Sequence, residues 1–323
     1  WLVAEPGSGA TLSGRLSIHD GAPPVRIAGF EITGQIVVEG NLEPLDFIDC
    51  TFRRSAATSS RRLLEANDEA AQEPRLIASN ENKTIENAAL VVRGGHITIT
   101  NGDFEGLELA VHVEGGTLAI ANSTFHQNTD SIYVTGGSTR IANTIFSASR
   151  ATALHVIGGD VVLKDQAALL GNQLALKISH GAHVSYELPA PLGRYAFIQD
   201  SSGIYHFEPG EHLGDFPFAC SAGIVGDSFA AQSNPACSRR CPAGYACGAG
   251  TVVPLACENG TFCPMGSPAT LDCPAGRVGT RPLLTSANEC DICLSGTECP
   301  KGSAKVEPSE PQPQPQPQPQ LQP

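Results

Sequence analysis

Gly94-Gly95-His96-Ile97-Thr98-Ile99-Thr100-Asn101-Gly102-Asp103-Phe104 is followed by Gly115-Gly116-Thr117-Leu118-Ala119-Ile120-Ala121-Asn122-Ser123-Thr124-Phe125. The phrase is two glycines, an alternating apolar run, an asparagine and a phenylalanine. It returns as Gly136-Gly137, Ile141, Asn143 and Phe146, and then as Gly158-Gly159, Val161, Leu163, Asp165 and Leu169. The second glycines are 21, 21 and 22 residues apart. A fixed period of this length marks stacked units, each too small to bury its own apolar face.

A second alternating run precedes each glycine pair. It reads Leu90 and Val92, Val111 and Val113, Ile132 and Val134, Leu154 and Val156, Leu176 and Ile178. Alternation with period two places these side chains on one face of a strand. The glycine pair suits a tight turn that needs positive φ. A third short strand around the Phe would close each coil. Upstream, Leu45, Phe47, Asp49 and Phe52 fit the same frame, and Val25, Ile27 and Phe30 fit again, preceded by Leu16 and Ile18. About seven coils run from residue 10 to residue 188. At about 4.8 Å per coil they would stack to roughly 34 Å.

This pattern resembles the right-handed, single-stranded parallel β-helix of the pectate-lyase-like superfamily over roughly residues 10–190. The resemblance implies an all-β fold in which equivalent residues lie directly above one another. Phe30, Phe52, Phe104, Phe125 and Phe146 are then expected in one internal aromatic column. Asn101, Asn122 and Asn143, flanked by Asp49 and Asp165, are expected in an internal side-chain ladder. Cys50 aligns with Gly102, Ser123 and Thr144, a small-residue slot, and reads as a buried free thiol. Of the three Asn-x-Ser/Thr glycosylation sequons, Asn82 and Asn259 are favoured over Asn122, which the internal ladder would hide.

The rest of the chain divides around this domain, 1–188. Residues 53–88 interrupt the repeat with Arg53-Arg54, Arg61-Arg62, a short helix expected over Leu63 to Gln72, and Asn82. Inserted loops project from the side of a solenoid. Residues 189–219 lack the repeat, are rich in Pro and aromatics, and read as a C-terminal cap and junction that covers open strand edges. Ten of the eleven cysteines then fall between Cys220 and Cys299. Residues 304–323 form a Pro/Gln-rich linker expected as an extended spacer.

The cysteine segment, 220–303, carries its own phrase: Cys241-Pro-Ala-Gly-Tyr-Ala-Cys247, Cys257-Glu-Asn-Gly-Thr-Phe-Cys263 and Cys293-Leu-Ser-Gly-Thr-Glu-Cys299. Cys273-Pro-Ala-Gly opens a fourth copy that lacks its second cysteine. Cys290-x2-Cys293 is half of a zinc pattern, but no second pair or histidine lies nearby. Disulfides are therefore expected among Cys220, Cys237, Cys241, Cys247, Cys257, Cys263, Cys273, Cys290, Cys293 and Cys299, with the pairing open. The segment resembles ephrin-receptor-like cysteine-rich repeats. The stretches Leu188-Pro-Ala-Pro-Leu-Gly-Arg-Tyr195 and Phe216-Pro-Phe-Ala-Cys220 resemble a junction seen in large surface proteins of unicellular algae.

Composition narrows the function classes. The formal net charge of −13 argues against binding a phosphate backbone. No run of 18 apolar residues suits a membrane span, so no membrane contact is expected from this segment. The chain starts at Trp1 without a signal peptide and reads as a mature or excised piece of a longer protein. Enzymes with the parallel β-helix fold place carboxylates and basic residues on an outer strand face. Asn128-Thr129-Asp130 matches one such motif, but its expected partners one coil on, Ala151, Thr152 and Ala153, lack the second acid. Ser179-His180-Gly181 and Arg140-Ile141-Ala142 are poor echoes of the remaining motifs, so Asn128 and Asp130 read as turn residues. No catalytic residue, cofactor or metal ligand is assigned.

An outward column of His112, Tyr133, His155 and Lys177 is the candidate recognition stripe. The expectation is a non-catalytic extracellular or cell-surface protein, a rigid rod with a disulfide-stapled stalk. It would serve structure, adhesion or glycan recognition, with glycans or other surface proteins as partners. The alternative is a polysaccharide lyase or hydrolase.

Overall fold

The computed structural model describes residues 2–4, 9–19, 21, 24–40, 44–54, 87–197, 202–295, 297–305 and 307–308. The short helix expected over 63–72, Arg61-Arg62, sequon Asn82 and most of the Pro-Gln tail lie outside them. The chain separates into two compact units, Trp1–Ala219 with Ser228–Pro235, and Cys220–Asp227 with Ala236–Pro323.

The first unit is a right-handed parallel β-solenoid of about seven coils. Each coil contributes one strand to each of three sheets, here A, B and C. The third strand expected around each Phe is present. The short strands Thr51–Arg53, Asp103–Glu105, Thr124–His126, Ile145–Ser147 and Ala168–Leu170 stack in sheet B. Sheet C contains Gln35–Val38, Ala88–Val92, Leu109–Val113, Asp130–Val134, Thr152–Val156 and Leu174–Ile178. Sheet A holds the strands after the Gly-Gly turns, such as His96–Thr100, Thr117–Ala121 and Ser138–Ala142. The inserted segment leaves the stack between sheets B and C of the third coil. Arg53 still belongs to a strand before it, and Ala88 already opens the strand after it.

The Gly-Gly turns explain the spacing. Gly95, Gly116, Gly137 and Gly159 have φ of 80°, 77°, 79° and 81°. A Cβ on Gly116 would lie 2.6 Å from the carbonyl carbon of Gly94, and one on Gly137 would lie 2.6 Å from the oxygen of Gly116. Both the dihedral and the coil below exclude a side chain.

Inside, Phe52, Phe104, Phe125 and Phe146 form one stacked file with centroid separations of 4.3, 4.3 and 4.7 Å. All four are fully buried. Phe30 does not join them. Ile32 lies in register with Phe52, and Leu169 lies above Phe146. Phe30 instead takes the position of Cys50, because that coil steps by only 20 residues: Val25 pairs with Leu45 and Ile27 with Phe47.

The small-residue slot holds. Ser123 Oγ accepts from Gly102 N–H and donates to Ala121 O, and Thr144 Oγ1 donates to Ala142 O. Cys50 Sγ contacts the carbonyls of Ile27 and Ile48 at 3.4 Å. Burial pushes the Cys50 thiol up from its ordinary value. Native protein should therefore resist iodoacetamide at Cys50 over hours at neutral pH, whereas denatured protein should alkylate at once. Mass spectrometry of both states checks this, and prompt native labelling would contradict the burial.

The asparagine ladder exists but faces outward. Asp49, Asn101, Asn122, Asn143 and Asp165 all adopt positive φ, between 44° and 55°. Asn101, Asn122 and Asn143 are exposed. Asn101 Nδ2 donates to Asp49 Oδ1, and Asn143 Nδ2 donates to Asn122 Oδ1, both at 2.8 Å. The left-handed bend that Asn tolerates turns these side chains away from the core. Sequon Asn122 is thus accessible, contrary to the expectation of an internal ladder. Among the described residues the buried asparagine is Asn128. It accepts from Leu107 N–H and donates to Phe104 O of the coil below, and Asn172 makes the same bracket to Ser149 and Phe146.

Residues 189–219 close the stack. Strand Ile204–His206 adds antiparallel to His183–Glu187, and Gly210–His212 adds antiparallel to Leu174–Ile178. Phe216 bonds Leu169 through both backbone groups. Tyr186, fully buried against Phe216, donates its hydroxyl to Ala167 O at 3.0 Å.

The second unit is held by five disulfides: Cys220–Cys237, Cys241–Cys247, Cys257–Cys263, Cys273–Cys290 and Cys293–Cys299. Two phrases read Cys-x-Ala-Gly-x-Val-Gly, at Cys220 and Cys273, and each of these cysteines pairs 17 residues on. The other three close within 6 residues. The phrases stack: Gly223, Gly244, Gly260 and Gly276 donate their N–H to the oxygens of Cys247, Cys263, Gly279 and Cys299. Gly279 thus fills the place of the cysteine that the Cys273 copy lacks. The unit extends into the stretch assigned to the linker, where Glu307–Pro308 pairs with Thr297–Glu298.

Candidate recognition face

The outer face of sheet C carries the groups best placed for contact. Parallel register sets His112 beside Tyr133, Tyr133 beside His155, and His155 beside Lys177. The column continues the other way into Val91 and Val37, which are buried in a cluster with Ala88 and Leu109 that Tyr133 packs against. Those two valines were missed because the insertion hides the coil count; the inward phase of Leu90 and Val92 marks Val91 as outward.

His112 stacks on Tyr133 with centroids 5.2 Å apart, and Tyr133 meets His155 at 4.9 Å with the rings tilted by 49°. One face of the Tyr133 ring is therefore covered by His112. The face offers polar ring edges rather than an open aromatic platform. Lys177 is bridged to Glu211 at 3.4 Å.

His112 departs from the expected exposed stripe: it is only 2% accessible. Its Nε2 lies 3.4 Å from Thr135 Oγ1. Its Nδ1 lies 3.4 Å from Glu114 Oε1 without an aligned hydrogen bond. Burial holds the imidazole below its ordinary value, and Glu114 only partly opposes this. The unfolded chain then binds the extra proton more readily, so this contribution to stability is present above the ordinary histidine range and declines as pH falls through it. Acidification from about pH 7.5 to about pH 5.5 should lower the melting temperature, and His112→Gln should flatten that slope. Thermal melts at both pH values check it; an unchanged slope would exclude His112 as the source.

Beside Val37 and Val91 lies a cleft of about 430 Å³ lined by Arg15, Gln35, Asn87, Arg93 and Glu114. Arg93 spans the coils, with Nη1 2.5 Å from Glu39 and Nε 3.1 Å from Glu114. The Arg93 guanidinium holds the Glu39 carboxyl below the usual range. The cation is thereby matched, and the cleft carries no free positive charge from Arg93.

A second column on the same sheet runs Ala88, Leu109, Asp130, Thr152 and Leu174, with Ala88 and Leu109 buried against Val37 and Val91. Burial raises the Asp130 carboxyl, opposed by the Thr152 N–H at 3.0 Å and by Lys177. The residues opposite Asn128, Thr129 and Asp130 are Arg150, Ala151 and Thr152, one place earlier than the sequence alignment put them. No carboxylate stands next to Asp130 in its column. Arg140 belongs to sheet A and pairs with Ala119 and Val162, so it does not reach Asp130's face. His180 is exposed in the turn after Leu174–Ile178, the last parallel strand of sheet C.

Among the sequons, Asn259 is exposed in the Cys257–Cys263 loop. No helix among the described residues is long and apolar enough to cross a membrane. No family model, curated protein or solved structure matches the chain.

Proposed function

We propose that this chain belongs to an extracellular or cell-surface protein without catalytic activity, in which a pectate-lyase-like parallel β-helix presents a structural, adhesive or glycan-recognising face. The cysteine unit is an ephrin-receptor-like module in the same reading. The observation that carries the proposal is the outer face of sheet C. Its in-register column ends in the half-buried Tyr133, His155 and Lys177, beyond the buried Val37, Val91 and His112, and the neighbouring column contains one carboxylate, Asp130. Cleaving a glycosidic bond by paired carboxylates needs a second acid at a set separation. The five disulfides support an oxidising compartment. Polar ring edges and Lys177 suit hydrogen bonding to hydroxylated ligands, and the net charge of −13 disfavours polyanions.

A polysaccharide lyase or hydrolase draws on one observation, the raised Asp130 carboxyl, which is the direction a general acid needs. Incubation with pectin, alginate and other acidic glycans separates the readings. No new reducing ends or unsaturated products are expected. Turnover that disappears in Asp130→Asn would replace the proposal with an enzyme. A glycan array with wild type and the Tyr133→Ala, Lys177→Ala pair then tests the face itself.

A further inference from the structure

On the outer face of sheet B, Asp103, Glu105 and His126 offer one ligand atom each within 4.8 Å of one another. The solenoid register creates the group. Glu105 lies directly beside His126, and Asp103 sits two residues before Glu105 on the same outward phase as Thr124. Phe104 and Phe125, buried between them in sequence, fix which way the three side chains point. His126 Nε2 lies 3.2 Å from Asp103 Oδ1. Thr124 Oγ1 donates to the same oxygen at 2.6 Å, which fixes the carboxylate orientation. All three ligands are about one-third exposed, open to ions from solvent.

We propose that this cluster is a zinc-class metal site joining two successive coils. One imidazole nitrogen with two carboxylate oxygens is an intermediate donor set, suited to Zn²⁺ and poorly suited to Ca²⁺ or Mg²⁺, which take oxygen ligands throughout. Tetrahedral zinc at about 2.0–2.2 Å from each ligand needs donor atoms roughly 3.3 Å apart. The His126–Asp103 separation already meets that spacing. Water would complete the fourth position. Binding puts the metal where the hydrogen between His126 Nε2 and Asp103 lies: the neutral imidazole ligates through Nε2 and carries its one hydrogen on Nδ1, so the exchange is a change of tautomer with no net proton released. Arg53 opposes the ion: its guanidinium is 2.9 Å from Glu105 Oε2 and must swing away.

The charge of Arg53 gives a test with opposite signs. The metal-stripped protein should bind ZnCl₂ in calorimetry, and its melting temperature should rise by a few degrees at saturating metal. CaCl₂ and MgCl₂ at the same concentration should do neither. His126→Ala and Asp103→Asn should each weaken zinc by about tenfold or more, while Arg53→Ala should tighten it. Circular dichroism of each variant establishes that the solenoid is intact. Absence of zinc binding, equal affinity in His126→Ala, or weaker binding in Arg53→Ala would overturn the site.

Discussion

Phe125→Ala should lower the stability of the solenoid by about 3–5 kcal/mol, the range for emptying a large aromatic from a close-packed core. Phe125 is fully buried and stacks on both sides, 4.3 Å from Phe104 and 4.7 Å from Phe146. The hole cannot collapse easily. Its floor and ceiling are rings held by strand pairing on either side, Phe104 opposite Phe125 and Phe125 opposite Phe146. Loss of area and loss of aromatic contact therefore add. The expected drop in melting temperature is on the order of 10 °C for a domain of this size. Phe125→Leu, which refills most of the volume as Leu169 does two places up the column, should cost much less, about 1.5 kcal/mol or below. Thermal and urea melts of the three proteins decide it. A Phe125→Ala protein as stable as wild type would mean that the file is not the spine of the fold.

The second large effect belongs to the cysteine unit. Replacing Cys273 and Cys290 together by Ser should remove about 3 kcal/mol, the loop-closure contribution for a bridge of 17 residues. The bridge lies in one small cluster with Leu284, and Phe262 packs against it, so little apolar burial compensates. Opening Cys241–Cys247, which spans 6 residues, should cost less, about 2 kcal/mol. Hydrogen exchange after mild reduction should show protection lost across residues 220–303 and kept across 90–187. The solenoid unit contains a single cysteine, Cys50, and has no bridge to break. Protection that survives reduction in both segments would contradict this.

The coils between Gly94 and Ile178 are legible because each repeats the same three signals: a glycine pair, inward alternation and a large apolar residue, Phe in three coils and Leu169 in the fourth. Where a signal drops out, the reading slips. Coils before residue 53 lack the glycine pair and step by 20, so Phe30, expected in the column of Phe52, falls in the slot of Cys50. The asparagine ladder was found, but its direction was not. Period alone fixes that Asn101, Asn122 and Asn143 stack, whereas the positive φ that turns them outward is a property of the bend. The disulfide pairing was open for a related reason. The same Cys-x-x-Gly opening leads to closure after 6 residues or after 17, and the difference lies in whether the seventh place is Cys or Gly. On the surface, His112, Tyr133, His155 and Lys177 came from alternation alone. The burial of His112 did not, because it depends on what lies around Thr135 and Glu114. Asp103, Glu105 and His126 belong to no motif; a diagonal contact between neighbouring coils brings them together.

The two strands at the C-terminal end of the stack, Ile204–His206 and Gly210–His212, run against the direction of every coil beneath them. A parallel stack is a template whose growth rule is that each new layer copies the orientation of the last. Reversal at its final layer breaks that rule without removing the exposed amides. A second molecule arriving there would meet hydrogen-bonding groups out of phase with its own, so the end that the chain itself builds last is a terminator rather than a seed.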